Sequence, residues 1–594
     1  MHPLGNIHPY ALPSGRYLSC TAFFQADAGG QTRAMLMRNN ALVRESGVTP
    51  EILSFAPAPN YPQRREILLE RGLLEEAVVH RNIFDHYREN PWPAADGTGR
   101  ALEDLSRHQT DLDHRPDGTP WRIRYDLHAA GGQVHDYLRA DGSTYLRTHD
   151  VERRRDQSTA PLQMVSPAGE VLGTIRSSTV WQRRWIRELT AADDRVFLFM
   201  DARSLVPRLA QLGSRRIHLV YVMHSMHLAP PRRWDSPTYG SYTRLLPWAG
   251  HLDALVTLTD RQRQDIAQRL GSTANLFVVP HPVVLPSPPE HATRDPRRVA
   301  VIARIEPPKQ VLEAVEVFAR VVAAVPDARL DIYGSGRGES ALRKAIKDKG
   351  LSGSITLRGF DPEAREALWR SSALMLTSAY ETYGLVILEA MSRGCPVVSY
   401  DIKYGPREQI TEGVDGFLVP ALDREAMTAR LIELLRSPDL VKQMGESGMD
   451  KAAASTTGHH VREWASVLTR VVENRPRRTS LKKLGLQLVR LSVRRARTDV
   501  GAVLRVSAVV GSRSTAGAHR LRAARPELSL VDESTGDVVD LPVRARFRAG
   551  SIQVSAAAPA SRGSYLRLRV VVENLVWEAR LAGIGEQLGP SRSA

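Results

Sequence analysis

The chain has 594 residues, 42% of them hydrophobic, and its 81 Lys and Arg exceed 65 Asp and Glu to leave a formal charge of +16. That length calls for several domains, since one core rarely grows beyond about 250–300 residues. Two cysteines, Cys20 and Cys395, exclude a disulfide scaffold or a cysteine-based zinc site and fit reduced thiols in a cytosol. The positive excess favours polyanionic partners, unless it serves only solubility. No zinc-finger spacing and no basic region joined to heptads marks a nucleic-acid binder. No apolar run approaches the roughly 18 residues of a membrane span. The opening M-H-P-L-G-N-I-H-P-Y lacks a charged region followed by an apolar one, so a cytoplasmic protein without a secretory signal is expected.

Leu18–Phe24 reads as a first strand, followed by a turn with Gly29 and Gly30 and a helix over 33–46. A strand, a Gly-Gly turn and a helix start make a nest of free N–H groups that suits phosphate. Hairpin signals then break the pattern: Tyr137–Arg147 about Asp141-Gly142, and Pro161–Ile175. They predict an antiparallel β insertion, whose Arg139, Arg147 and Arg153–Arg155 form either a cationic surface or an ordinary solvated face. Asp111-Leu112-Asp113, within it, reads as a solvated turn. Buried parallel strands are expected at 195–200, 218–223, 254–258 and 276–279, with His224 and His227 just past the second. The proline cluster 280–289 reads as a linker. Strands at 298–303, 329–333, 354–358, 373–377 and 396–400 then alternate with helices at 309–324, 338–349, 362–371, 385–393 and 424–436, a doubly wound parallel sheet. Leu481, Leu484, Leu488 and Leu491, flanked by Lys482, Lys483, Arg490, Arg494 and Arg495, predict a basic amphipathic helix for an anionic membrane surface, or one docked with its basic face outward. Short β runs from Val500 to about Leu581 predict a small sandwich. The expected division is an N-terminal α/β domain (1–75 and 190–285), a β insertion (76–189), a second α/β domain (286–450), a crossover with the basic helix (451–498) and a β domain (499–594).

The chemistry concentrates in the second α/β domain. Glu381 closes the turn Ser378-Ala379-Tyr380-Glu381 that follows the strand at 373–377, where ligands of open α/β sheets bind. Glu389 lies on the second turn of the next helix, in E-T-Y-G-L-V-I-L-E. Carboxylates so placed can accept from paired sugar hydroxyls. Arg304 and Lys309 follow the strand at 298–303 and offer fixed cations to a diphosphate. Gly384 admits close backbone approach, and the N–H groups of Tyr383, Gly384, Leu385 and Val386 open a helix. No convincing metal site appears; the two cations substitute for one, and no cofactor is expected.

A-R-I-E-P-P-K-Q, L-D-I-Y-G-S-G-R-G, I-T-L-R-G-F, the E-x₇-E segment and G-C-P-V-V-S-Y-D-I-K-Y-G-P-R-E together resemble the donor half of retaining GT-B glycosyltransferases. The last stretch, with G-V-D-G-F-L-V, is closest to the poly(glycerol-phosphate) α-glucosyltransferases of teichoic acid and their relatives that glycosylate serine-rich adhesins. The resemblance is dense over about 298–425 and looser over 15–297. It implies two Rossmann-like domains about a cleft and a UDP-sugar donor. Gly29 and Gly30 would face the donor, Glu381 would hold its hexose, Glu389 the ribose, and Arg358, Gly359 and Phe360 the base. His224, in preference to His227, would meet a sugar hydroxyl or the acceptor. The implied acceptor is a glycerol- or ribitol-phosphate polymer. The rivals are a protein O-glycosyltransferase, a capsular or lipid-linked glycan transferase, and a non-catalytic partner subunit. The insertion of the relatives serves oligomerisation or acceptor contact, so a homo-oligomer is an open expectation here. Thr382 and Tyr383 depart from the usual glycine and phenylalanine; Thr382 requires a negative φ.

Overall fold

The computed structural model of the protein describes residues 11–26, 29–92, 99–127, 132–150, 161–234, 236–270, 275–290, 293–473, 486–498, 501–512, 521, 524–532, 538–548, 551–559, 564–572 and 575–583. Three strands open the chain: β1 (Arg16–Thr21), β2 (Glu51–Ser54) and β3 (Val79–Asn82). Six then depart into a meander: β4 (Gln109–His114), β5 (Pro120–Leu127), β6 (Gly132–Leu138), β7 (Thr144–Asp150), β8 (Leu162–Val165) and β9 (Val171–Ile175). The chain returns through β10 (Val196–Met200), β11 (Ile217–Val222), β12 (Ala254–Thr257) and β13 (Leu276–Val278). β1–β3 and β10–β13 form one seven-stranded sheet, ordered β13-β12-β11-β10-β1-β2-β3, every pair parallel. Apolar runs specify its middle. V-F-L-F-M of β10 is buried at every position, as expected where helices cover both faces.

The second sheet contains β14 (Asp295–Ile302), β15 (Arg329–Tyr333), β16 (Ile355–Gly359), β17 (Ser371–Leu376), β18 (Val397–Tyr400) and β19 (Gly416–Val419). Its order is β16-β15-β14-β17-β18-β19, again all parallel. In both sheets the strand order reverses beside the first strand, between β1 and β10 and between β14 and β17. Crevices for ligands open at the carboxyl ends of strands at such points. A crossover helix (Thr457–Glu473) leads back to the first unit, where Trp464 meets Phe199 edge-on at 5.2 Å and His460 Nδ1 lies 2.7 Å from the carbonyl of Pro280.

The C-terminal strands are β20 (Leu486–Thr498), β21 (Gly501–Ser512), β22 (Arg525–Asp532), β23 (Val538–Leu541), β24 (Arg544–Arg548), β25 (Ser551–Pro559), β26 (Ser564–Val572) and β27 (Leu575–Gly583). They form two antiparallel sheets, β20-β21-β25-β24 and β23-β22-β26-β27.

Four expectations are corrected. The segment 486–498 is a strand and not a basic amphipathic helix; it pairs with β21 and belongs to the β unit. The rest of the predicted helix, including Leu481 and Leu484, lies outside the described residues. Val79–Asn82 and the helices Ile83–Glu89 and Ser178–Leu189, placed in the insertion by the sequence, flank or join the first parallel sheet. V-H-R-N of β3 is a polar edge strand without an apolar run to announce it. Arg147 is buried in the insertion, where both its Nε and Nη2 donate to Asp136 at 2.6 and 2.7 Å, so it is no surface cation; Arg153–Arg155 lie outside the described residues. Asp111 and Asp113 stand on β4, not in a turn, and pair with Arg122 and Arg124 of β5.

Candidate functional site

Lys309 ends the short turn Pro307–Lys309 after β14, and Glu381 follows β17. The two therefore straddle the reversal point of the second sheet. Lys309 Nζ donates to Glu381 Oε1 at 2.5 Å, and Ser378 Oγ donates to the same oxygen at 2.8 Å. Backbone contacts fix the loops that carry them. Ala379 N–H donates to the carbonyl of Pro308 at 2.8 Å, and Thr377 Oγ1 donates to those of Lys309 and Gln310. Glu381 N–H donates to the carbonyl of Lys403 at 2.9 Å. The Glu381 carboxylate is thus nearly buried and immobilised beside a cation.

The chain turns from Glu381 into the helix Leu385–Met391 through Gly384, whose φ of 84° lies in the left-handed region. Thr382 is not among the residues with positive φ, so it meets the requirement set by its departure from glycine. Tyr383 is buried, and its hydroxyl donates to the carbonyl of His281 at 3.2 Å.

Glu389 reaches the first α/β unit. Its Oε1 is 2.6 Å from Arg33 Nη2, on the first turn of the helix Gly30–Ser46, and 3.1 Å from Arg365 Nε. Burial lowers the affinity of Arg33 for its proton, as do the neighbouring cations Arg365 and Arg393, and Glu389 opposes them. A ribose at Glu389 would share these guanidinium contacts. The same pair brings the Gly29–Gly30 turn to the cleft. Both glycines are exposed, and a Cβ at either would meet nothing within 4 Å.

Across the cleft, Asp201 follows β10 and is 2% exposed. Arg38 donates to both of its oxygens at 2.8 Å, and His224 Nε2 lies 2.9 Å from Oδ1. Burial alone would raise the Asp201 pKa; Arg38, with His224, outweighs it and holds the carboxyl below its ordinary range. His224 stacks on His281 at 5.6 Å, and His281 meets Tyr383 edge-on at 5.3 Å, so rings link the two units. Burial pushes the pKa of His281 well down.

His227 is wholly buried, between Tyr242 and Tyr404, and burial lowers its pKa to about 3. It is a core residue. Arg304 is exposed after β14 and forms no ion pair among the described residues. Arg358 is turned onto buried Asp331, Nε to Oδ1 at 2.8 Å; Gly359 has a φ of 75°, and Phe360 is 68% exposed. The structure thus brings together Lys309, Glu381 and Gly384, and sets Glu389 against the first unit. Among the described residues neither Arg304 nor Arg358 forms an ion pair with Glu381 or Glu389, which pair instead with Lys309, Arg33 and Arg365. Sequence reasoning missed Asp201, Arg33, Arg38 and His281. Among the described residues no group of three or more His, Cys, Asp or Glu could hold a metal ion, and no helix is long and apolar enough to cross a membrane.

Two Rossmann-like units with facing reversal points define the GT-B fold. A Staphylococcus aureus TarM mutant, solved in complex with Fondaparinux, alpha-GlcNAc-glycerol and UDP, shares it with a TM-score of 0.59 at 18% identity, over 77% of this chain and all of that one. Residues 287–451 match the family model described as Glycosyl transferases group 1. A poly(glycerol-phosphate) alpha-glucosyltransferase of Bacillus subtilis (strain 168) is 25% identical over 368 residues, 60% of this chain and 54% of that protein. A poly(ribitol-phosphate) alpha-N-acetylglucosaminyltransferase of Staphylococcus aureus (strain COL) is 29% identical over 202 residues, 34% of this chain and 41% of that protein. The chain therefore spans about half, or less, of the length of these curated relatives.

Proposed function

We propose that this protein is a glycosyltransferase that moves glucose or N-acetylglucosamine from a UDP-sugar to a polyol-phosphate polymer, with retention at the anomeric carbon. The observation that carries the reading is the Lys309–Glu381 pair astride the reversal point of the group 1 domain. The relatives' activities and the UDP complex of the structural neighbour support it. In the reaction the bond between C1 and a diphosphate oxygen breaks, and an acceptor oxygen bonds to C1 on the same face. The acceptor proton passes to the departing phosphate. Lys309 and Arg304 stabilise charge on the leaving group; a fixed cation there acts without reorganising. Glu381 orients hexose hydroxyls, and His224 meets the sugar or acceptor from the other unit. Two such cations also make a metal unnecessary, so activity should survive a chelator.

The test is UDP release and polymer mass gain on mixing the full chain with UDP-glucose or UDP-N-acetylglucosamine and a glycerol-phosphate oligomer. Glu381→Gln should abolish transfer while the protein remains folded. Lys309→Ala should lower it roughly ten- to 150-fold, for a charge-assisted bond of about 1.5–3 kcal/mol. No UDP release with either donor, or normal turnover in Glu381→Gln, would sink the reading.

A further inference from the structure

The edge of the C-terminal unit carries an array that the cleft does not use. β24 reads R-A-R-F-R, is the outermost strand of the sheet β20-β21-β25-β24, and is exposed at all five positions. Arg544, Arg546 and Arg548 stand opposite Ser555, Gln553 and Ser551, whereas Ala545 and Phe547 stand opposite buried Val554 and Ile552. The three arginines therefore share the outward face. It continues through Gln553, whose Nε2 donates to Ser507 Oγ at 3.2 Å. None of the four strands of this sheet contains Asp or Glu, and none of the three arginines forms an ion pair among the described residues. A charge on an edge strand discourages pairing with another chain; that need does not call for three arginines in step on an acid-free sheet.

The step itself is informative. Alternate residues on a strand recur every six backbone bonds, about 6.4–6.8 Å. In a 1,3-linked glycerol-phosphate polymer, successive phosphorus atoms are also six bonds apart (P–O–C–C–C–O–P). Three extended backbone bonds span about 3.3–3.6 Å, so that polymer repeats at roughly 6.6–7.2 Å. A 1,5-linked ribitol-phosphate repeat has eight bonds and reaches roughly 9 Å on the same scale. Guanidinium forks match phosphate oxygens pairwise. We infer that the outward face of β24 docks a glycerol-phosphate polymer, with Arg544, Arg546 and Arg548 each taking one of three consecutive phosphates outside the catalytic cleft. The assignment rests on the polyol-phosphate reading of the acceptor and narrows it to the six-bond backbone.

The experiment measures binding of the full chain to a glycerol-phosphate oligomer, without donor, over a sodium chloride series. Arg544→Gln/Arg546→Gln/Arg548→Gln should weaken binding and reduce the slope of log K against log salt by about 2, at roughly 0.7 per phosphate on a single strand. Each single variant should take about a third of that. A ribitol-phosphate oligomer of equal charge should bind the wild type more weakly and respond less to the substitutions. Turnover on a single glycerol-phosphate acceptor unit should be unchanged. Equal affinity and slope in wild type and triple variant would overturn the inference. So would single-stranded DNA, also six bonds per phosphate, binding as tightly and as sensitively to the substitutions. If no acceptor is glycosylated yet binding that depends on Arg544, Arg546 and Arg548 persists, the cleft reading falls and the docking stands. If transfer proceeds and binding ignores the substitutions, the reverse holds.

Discussion

Asp201 organises the first unit's side of the cleft. It lies buried between a guanidinium and an imidazole, and its three contacts at 2.8–2.9 Å use both oxygens. When the His224 ring is neutral, an Nε2–H donated to Asp201 leaves Nδ1 as an acceptor for a hydroxyl. Removing one partner of a buried ion pair strands the other, at about 3–5 kcal/mol. Asp201→Asn should lose that much stability at neutral pH, and Arg38→Met with Asp201→Asn should recover part of it, because no buried charge is left alone. The sign with pH follows from the lowered pKa. The folded carboxyl holds its charge more strongly than the unfolded one, so its contribution is complete above the ordinary aspartate range. It is lost as pH falls below that range towards the folded value. Melting temperatures between pH 3 and 7 should therefore fall less steeply on the acid side in Asp201→Asn than in wild type. A variant as stable as wild type at pH 7 would mean that the pair holds nothing.

Among elements, the turn Glu381–Gly384 constrains the site through a left-handed glycine. A residue with a Cβ at a φ of 84° costs about 1–2 kcal/mol, and that Cβ would stand 3.0 Å from Ile387 Cδ1. Gly384→Ala should lower stability by that amount in urea unfolding and reduce transfer more than the stability loss explains, since the turn aims Glu381. The strands that build both reversal points were legible because parallel strands covered on two faces are continuous apolar runs. Lys309 and Glu381 were legible because they lie in the loops that leave such runs at their carboxyl ends. Asp201 carries the same signal, after V-F-L-F-M, and went unread. Arg33 and Arg38 had no local signal: each sits in a helix, and its partner, Glu389 or Asp201, is remote in sequence. β20 was misread for a geometric reason. Its pairing shifts register between Leu488 and Arg490, and one extra residue breaks the two-residue alternation. Leu484, Leu488 and Leu491 then fall at intervals of four and three, which a helix also satisfies.

For the whole molecule, the question is what holds the C-terminal β unit relative to the cleft. Arg569 on β26 is 7% exposed and donates through Nη2 to the carbonyls of Gln268 and Arg269 at 2.5 and 2.6 Å, while Nη1 donates to Glu527 at 2.9 Å. Those carbonyls end the helix Asp260–Leu270, where the negative end of the helix dipole favours a cation. The guanidinium also lies 5.8 Å from the Trp234 ring. One side chain thus fastens the sheet of β26 and β27 to the unit that carries Asp201 and His224. A polymer held on β24 is useful to the cleft only if the distance between them is set, and this contact is one of those that join the β unit to the first unit. Charge-assisted bonds contribute about 1.5–3 kcal/mol each, so Arg569→Ala should release the β unit to protease faster. It should leave transfer to a single glycerol-phosphate unit intact and slow transfer to the polymer. Arg569→Lys keeps the charge but not the fork and should fall between the two. If polymer transfer is indifferent to Arg569→Ala while proteolysis quickens, the fixed distance is not what the reaction uses, and the β unit holds polymer on a free tether.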